Sequence, residues 1–195
     1  MSASIVGILL AAGQSTRFGS NKLLHQLNDG TPMVLASARH LHNVLPQTVA
    51  VVEDANNEVA KLLAQEGVQV IENPLASEGI GTSIACGVAS NPDAQGWVIA
   101  LADMPCIPEN VIQAVATGLE RGSGIIAPVY REMRGHPVGF SARYSQALLQ
   151  LHSDEGARSI IQANNDSLEL IETTEKGVIV DIDEPESIHG TQSPV

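Results

Sequence analysis

Large aromatic rings are almost missing from this chain: two Phe, two Tyr and one Trp make up 3% of its 195 residues. A core without rings must be packed from Val, Ile, Leu and Ala, which suits helices laid on a parallel sheet. Platforms for stacking single-stranded bases are also hard to assemble from so few rings. Cations are scarce as well, with 10 Lys+Arg against 22 Asp+Glu and a formal charge of −12. Neutralising a nucleic-acid backbone needs clustered cations, so nucleic acid is excluded as a partner; a small phosphorylated ligand held by a few local cations is not. Two cysteines, Cys86 and Cys106, cannot build a disulfide framework, and no CxxC or His-rich cluster suggests zinc. Apolar runs fall far short of the roughly 18 residues of a membrane span, so no membrane partner is expected. Ile5–Ala12 has the apolarity of a signal-peptide core, but no cation precedes it and the first in the chain is Arg17. The expected location is the cytoplasm.

Material for a core is ample, at 44% hydrophobic and 16% charged residues. At roughly 150 residues per domain, residues 1–195 are expected to form one domain. Strand-length apolar runs alternate with helical patterns along it. Strands are expected at Ser4–Leu10, Thr48–Val52, Val68–Ile71, Trp97–Leu101 and Gly124–Pro128. Helices are expected at Thr31–Val44, Asn56–Gln65, Ile80–Ala89 and Glu109–Leu119. In the first helix Val34, Leu35, Ala38, Leu41 and Leu45 share a face. Such alternation makes βαβ units, a parallel sheet with helices on both faces. Val129–Phe140 breaks the rhythm as a hairpin or excursion around Arg134-Gly135-His136-Pro137. Ala142–Leu151 then returns to helix, Thr173–Val180 supplies late strand pairing, and Ser187–Val195 is a frayed tail. There is no internal repeat or linker.

Leu9-Leu10-Ala11-Ala12-Gly13-Gln14-Ser15-Thr16-Arg17-Phe18-Gly19-Ser20-Asn21-Lys22 begins at the end of the first strand, where open parallel sheets bind ligands. Small residues at Ala11, Ala12 and Gly13 let a ligand approach backbone N–H groups, which cradle anionic oxygens. Arg17 and Lys22 bring two cations to the same loop, and Leu23-Leu24 should anchor the base of the lysine in the core. It is not a Walker A loop, since five residues separate Gly13 from Gly19 and no Gly-Lys-Ser/Thr follows. No GxGxxG frame fits either. The plain alternative is a Gly-rich turn with solvated cations.

The loop resembles the signature LAAGxSxRxGxxK of the nucleotidyltransferases that include the molybdenum cofactor enzymes. The resemblance implies a single Rossmann-like three-layer α/β domain with a mostly parallel sheet and a late hairpin excursion. It also implies that Leu10, Ala11, Ala12, Gly13, Arg17 and Lys22 wrap a nucleoside triphosphate, with the two cations on its phosphates. Ala12 resembles the cytidylyl-transferring members, whereas guanylyl-transferring relatives tend to carry Gly-Gly there.

A buried strand also ends at Asp103 in Val98-Ile99-Ala100-Leu101-Ala102-Asp103-Met104-Pro105, and a carboxylate at that edge can hold Mg²⁺ beside substrate phosphates. The plain alternative is a capping Asp at a strand exit. LADMP resembles the family's metal-binding segment, which places Asp103 in the catalytic and nucleotide-binding set with Arg17 and Lys22. In Val180-Asp181-Ile182-Asp183-Glu184-Pro185-Glu186, strand alternation puts Asp181 and Asp183 on one side, so either can be a second metal ligand. The segment resembles the family's DIDTPED with Glu184 in place of Thr, and Asp183 is the favoured ligand; a solvated acidic turn is the alternative. Asn73–Ser83 resembles a family NPxxxxGxxxS segment near base and ribose, which implicates Gly79 and Ser83, although a capping stretch explains it too. Arg134–Phe140 resembles the family's GHP segment, which puts His136 and Pro137 on the acceptor side. Asp154-Glu155-Gly156-Ala157-Arg158 resembles a DxGAR segment, and by itself reads only as a helix start with an N-terminal carboxylate. Cys106 has no evident His partner and is taken as a structural thiol.

These residues imply a Mg²⁺-dependent nucleotidyltransferase in which an acceptor phosphate attacks the α-phosphorus of CTP. The implied acceptor is molybdenum-loaded molybdopterin, with a molybdoenzyme as eventual recipient. The alternatives are a related transferase using GTP or a sugar phosphate, and a non-catalytic pterin-binding chaperone. The joint presence of Arg17, Lys22, Asp103 and Asp183 speaks against a mere binder.

Overall fold

The computed structural model describes residues 4–13, 21–152, 154 and 156–182. The loop cation Arg17, the favoured metal ligand Asp183 and the tail Ser187–Val195 lie outside the described residues.

Strand β1 (Ile5–Leu10) is buried along its whole length, as are β2 (Thr48–Val52) and, but for its last residue, β4 (Gly96–Leu101). Their side chains alternate between two cores. Ile5, Leu9, Ala50, Val52, Val98 and Ala100 enter one, with helices α1 (Met33–Val44), α2 (Glu58–Gln65) and α4 (Glu109–Glu120). Val6, Ile8, Leu10, Val49, Val51, Trp97 and Ile99 enter the other, with α3 (Ile80–Ala89), α5 (Ser145–Leu149) and α6 (Arg158–Ala163). A period of two between two helical layers is why these strands read as continuous apolar runs. The layers approach closely: a methyl on Gly87 of α3 would stand 2.7 Å from Ile8 Cγ2.

With β3 (Gln69–Glu72), β5 (Ile125–Tyr130), β6 (Met133–Arg134), β7 (Val138–Ser141) and β8 (Leu168–Glu172), the sheet has eight strands in the order β3-β2-β1-β4-β7-β5-β6, with β8 also paired to β5. Pairing is parallel from β3 through β4 and between β5 and β8. It is antiparallel where β7 meets β4 and β5, and in the β5–β6 hairpin. The fold is thus the expected three-layer α/β domain with a late hairpin excursion. Arg131 and Glu132 turn that hairpin with φ of 46° and 67°. Among the described residues no helix is long and apolar enough to cross a membrane.

Three expectations fail. Thr173–Val180 is not a strand: the late strand is β8, which ends at Glu172, and Lys176–Ile179 forms a 3-10 turn. Asp181 and Ile182 likewise lie outside any strand, so the alternation placing Asp181 beside Asp183 has no basis there. Ala142–Leu151 is not one helix but a 3-10 turn, Ala142–Tyr144, followed by the single-turn α5.

Candidate active site

β1 leads through α1 to β2 on one side, while β4 is its neighbour on the other, so chain direction diverges above the C-terminal ends of β1 and β4. Open α/β sheets bind ligands at such a switch point. A cavity of about 460 Å³ opens there, lined by Leu10, Ala12, Gly13, Lys22, Leu23, Ala76, Ser77, Gly79, Ile80, Ser83, Leu101, Asp103 and Asp154. Leu10 and Leu101, register partners across β1 and β4, form part of its floor.

Lys22 opens a short 3-10 turn, Lys22–Leu24, whose start is capped by Asn21: its Oδ1 accepts from the Leu23 N–H at 3.1 Å. Leu23 is buried and Leu24 partly so, which anchors the turn as expected. Lys22 Nζ donates to Asp103 Oδ2 at 2.7 Å, with both side chains about one-fifth exposed (18% and 22%). The pair is wet enough for a ligand to reach and dry enough for its charge to act at short range.

Asp103 follows Ala102, whose N–H donates to the Leu10 carbonyl (3.1 Å) and whose own carbonyl accepts from the buried Ser37 hydroxyl of α1 at 2.9 Å. Helix α4 begins only after Pro108, so Asp103 is not a helix cap. The Ile182 N–H donates to the Asp103 carbonyl at 3.1 Å. The chain entering the acidic segment is therefore docked on the same loop.

Of the nucleotide residues expected from the sequence, Leu10, Ala12, Gly13, Lys22, Gly79, Ser83 and Asp103 line this cavity. Ala11 does not. It packs in the core, and its N–H already donates to the Val51 carbonyl at 2.9 Å. Ser83 Oγ accepts from Asn73 Nδ2 at 3.0 Å, so its own hydrogen remains for a group in the cavity. Asn73, the first residue of the NPxxxxGxxxS-like segment, has a bracing role that the sequence did not announce. Its amide also reaches Thr82 Oγ1 (2.9 Å) and its Oδ1 accepts from the Leu75 N–H, fixing the loop that carries Ser77 and Gly79.

A second compartment of about 250 Å³ adjoins the first and shares Leu10, Ile80, Leu101 and Asp154 with it. Ile84, Ile99, Val138, Phe140 and Ile161 give it apolar walls, and Arg134, His136 and Arg158 supply its nitrogen groups. Pro137 is buried after a cis peptide bond with His136 and does not line it. His136 Nδ1 is buried without a hydrogen-bond partner. Burial, with the Arg134 charge adding to it and Asp103 opposing, lowers the imidazole pKa from 6.5 to about 4, so the ring is neutral near pH 7.

The two compartments share a clasp. The His136 N–H donates to the Val178 carbonyl (2.8 Å), four residues before Ile182 holds Asp103. Close approaches require glycine on this path: a Cβ on Gly135 would stand 2.3 Å from Val178 O, and one on Gly177 would stand 2.0 Å from Cys106 O. Cys106 thus serves through its backbone. Cys86, the other thiol, donates to the Glu72 carbonyl at 3.7 Å, and burial pushes its pKa up, which disfavours the thiolate.

A cavity of about 460 Å³ at the switch point, with a lysine and a carboxylate in contact, is the arrangement expected of a nucleotide-binding α/β domain. The chain belongs to the MobA-like NTP transferase domain family, whose model matches residues 7–168. Over 147 residues it is 31% identical to the bifunctional protein GlmU of Rhizobium etli, a match covering 72% of this chain and 31% of that protein. The chain therefore spans about a third of that relative's length. It is 27% identical over 194 residues to the purine catabolism protein PucB of Bacillus subtilis, covering 93% of each. A protein of Thermococcus sibiricus named "Probable molybdenum cofactor guanylyltransferase" is 26% identical over 147 residues, covering 75% of this chain and 72% of its own. Among solved structures, Rv0371c from Mycobacterium tuberculosis superposes with a TM-score of 0.81 at 24% identity, covering 96% of this chain and 97% of that one. The manganese complex of Rv0371c gives 0.74 at 23% identity, covering 88% and 89%. These structures share the fold.

Proposed function

We propose that the protein is a nucleotidyltransferase that transfers CMP from CTP to the terminal phosphate of molybdenum-molybdopterin. The carrying observation is the Lys22–Asp103 contact of 2.7 Å at the 460 Å³ cavity over β1 and β4. An acceptor phosphate oxygen attacks the α-phosphorus, a new P–O bond forms, and the bond to the β-phosphate bridge breaks. The bridging oxygen keeps the electron pair and leaves as pyrophosphate. Such chemistry is mostly positioning and charge neutralisation. A phosphate monoester is largely ionised near pH 7, so no general base is required.

In this reading the triphosphate occupies the larger cavity. The open backbone at Gly13 and the ammonium of Lys22 take its phosphates, with Arg17 as a second cation. Ser83 and Gly79 contact the nucleoside. The acceptor occupies the smaller compartment beside His136, over Pro137.

Mg²⁺ accepts one or two protein carboxylates alongside substrate phosphates. Asp103 and Asp154 both line the cavity, while no group of three or more His, Cys, Asp or Glu among the described residues could hold an ion unaided. That donor set fits a metal arriving with the nucleotide, held by Asp103 and, in this proposal, by Asp183. When bound, Mg²⁺ would neutralise phosphate charge. Delivery of the product to a recipient molybdoenzyme in the cytoplasm completes the proposal.

Cytidine is favoured by the Ala12 methyl, which lines the cavity where glycine would leave more room for a base. The guanylyltransferase name of the Thermococcus sibiricus relative supports GTP as the second reading. A thermal-shift panel of CTP, GTP, ATP and UTP with Mg²⁺ tests both. A ligand at 100 times its Kd adds about 2.7 kcal/mol of stability. CTP should give the largest shift. Equal shifts for CTP and GTP would remove the cytidylyl assignment, and no shift with any nucleotide would remove the transferase reading.

A further inference from the structure

The smaller compartment holds two guanidiniums that the fold itself does not use. Arg134 of β6 and Arg158, the first residue of α6, both line it and are both solvent-exposed. Neither has a hydrogen-bond or ion-pair partner among the described residues, although the chain carries 22 acidic side chains against 10 Lys+Arg. Three other arginines are engaged, Arg39 forking onto Glu66 at 2.9 and 2.7 Å and Arg131 and Arg143 lying over the rings of Tyr130 and Tyr144, while Arg121 lines neither compartment. In so acidic a chain, two guanidiniums without side-chain partners give one small compartment a positive edge that an anionic group can meet. Ile99 and Phe140 give the same compartment apolar wall. The carboxylate there, Asp154, stands at the border with the larger cavity.

We propose that Arg134 and Arg158 are the acceptor-specificity residues, a pair that holds an anionic group of the acceptor while another part of it lies against the apolar walls of the compartment of about 250 Å³. This rests on the nucleotidyltransferase reading, since it takes the larger cavity as the nucleotide's. A guanidinium binds phosphate or carboxylate through a planar fork of donors, which favours an oxyanion over a hydroxyl or amide. His136 is neutral beside them and adds no competing charge. The two arginines come from segments on opposite sides of β7 in the sequence, so the pair forms only in the folded protein. Selection of the acceptor is thus placed on charge at the rim and apolar shape at the walls.

The test uses phenyl phosphate as an anionic probe with an apolar body and benzyl alcohol as its neutral counterpart. Both are titrated into the full chain by calorimetry. The larger cavity is first saturated with the α,β-methylene analogue of whichever nucleotide stabilises the protein most. Arg134→Gln and Arg158→Gln should each weaken phenyl phosphate binding at least 10-fold and leave benzyl alcohol within 2-fold. The nucleotide's thermal shift should be unchanged in both variants. Phenyl phosphate binding unaltered in both, or an equal loss for the two probes, would overturn the proposal. Failure of every nucleotide to shift the wild-type protein would instead overturn the transferase reading on which it rests.

Discussion

Gly177→Ala adds one methyl group where the structure has no place for it. The new Cβ would stand 2.0 Å from the Cys106 carbonyl oxygen, 2.6 Å from its carbon and 3.0 Å from Cys106 Cβ. Side-chain carbons essentially never approach closer than 3.0 Å, so the two backbones must part by about 1 Å. Both neighbours are main chain, and no rotamer relieves the clash. Overpacking of this kind costs about 1–3 kcal/mol. For a chain of this size each kcal/mol lowers Tm by roughly 2–4 °C, so a fall on the order of 4–8 °C is expected at the middle of that range. Function should suffer beyond this. The displaced turn holds the His136 N–H through Val178 and leads to Ile182, which holds Asp103. The Gly13 loop is untouched, so nucleotide affinity measured by thermal shift should stay within about 3-fold while kcat for pyrophosphate release falls about 10-fold or more. Lys176→Ala, at an exposed neighbour on the same turn, is the control and should change neither. A Gly177→Ala protein with Tm within about 1 °C and normal kcat would show that this contact does not set the site's geometry.

Lys22→Ala should lower kcat on the order of 10²-fold, about 2.7 kcal/mol, with a smaller rise in nucleotide KM; a pure KM effect would confine the lysine to ground-state binding. Asp103→Asn keeps the side chain's shape but makes a poor Mg²⁺ ligand, so turnover should drop sharply with Tm little changed; near-normal activity with Mg²⁺ would refute its metal role. The His136 pKa of about 4 sits below its ordinary 6.5. Between these values the unfolded chain binds a proton that the folded protein refuses, so stability is full above pH 6.5 and declines as pH falls toward 4. The loss amounts to up to about 3 kcal/mol. Chemical denaturation across that window should be flatter for His136→Gln, and identical slopes for both proteins would refute the cause.

The larger cavity was legible because most of its residues are local in sequence. Leu10 ends β1, Ala12, Gly13 and Lys22 follow within twelve residues, and Asp103 lies two residues beyond the end of β4. Ala11 was misread because small side chains signal open backbone, yet its N–H completes the pairing with Val51. The late strand was misplaced for a different reason. Thr173, Val178, Ile179 and Val180 have strand propensity, but Gly177 must pass against the Cys106 carbonyl, and that tertiary contact bends the chain into a turn. The true strand β8 alternates Leu and Glu at Leu168-Glu169-Leu170, a period-two signal left unread because both of its faces are largely exposed. Asn73 was visible only as the first residue of the NPxxxxGxxxS-like segment, and Ser37 gave no signal at all. A buried amide or hydroxyl that braces a loop has no spacing rule, and only folding shows what it touches.

The two compartments are built from different stretches of the chain. All but one of the larger cavity's lining residues lie between Leu10 and Asp103, whereas the charged groups and most walls of the smaller one lie between Arg134 and Ile161. They meet where the antiparallel β7 is slotted beside β4. Such a molecule is divisible. The later stretch can change in length, charge or shape without altering a residue of the Gly13–Lys22 loop, so, on the proposed reading, one nucleotide-activating half can be combined with many acceptor halves. Exchange of residues 131–163 between members of the family should therefore transfer the choice of acceptor while leaving the choice of nucleotide where it was.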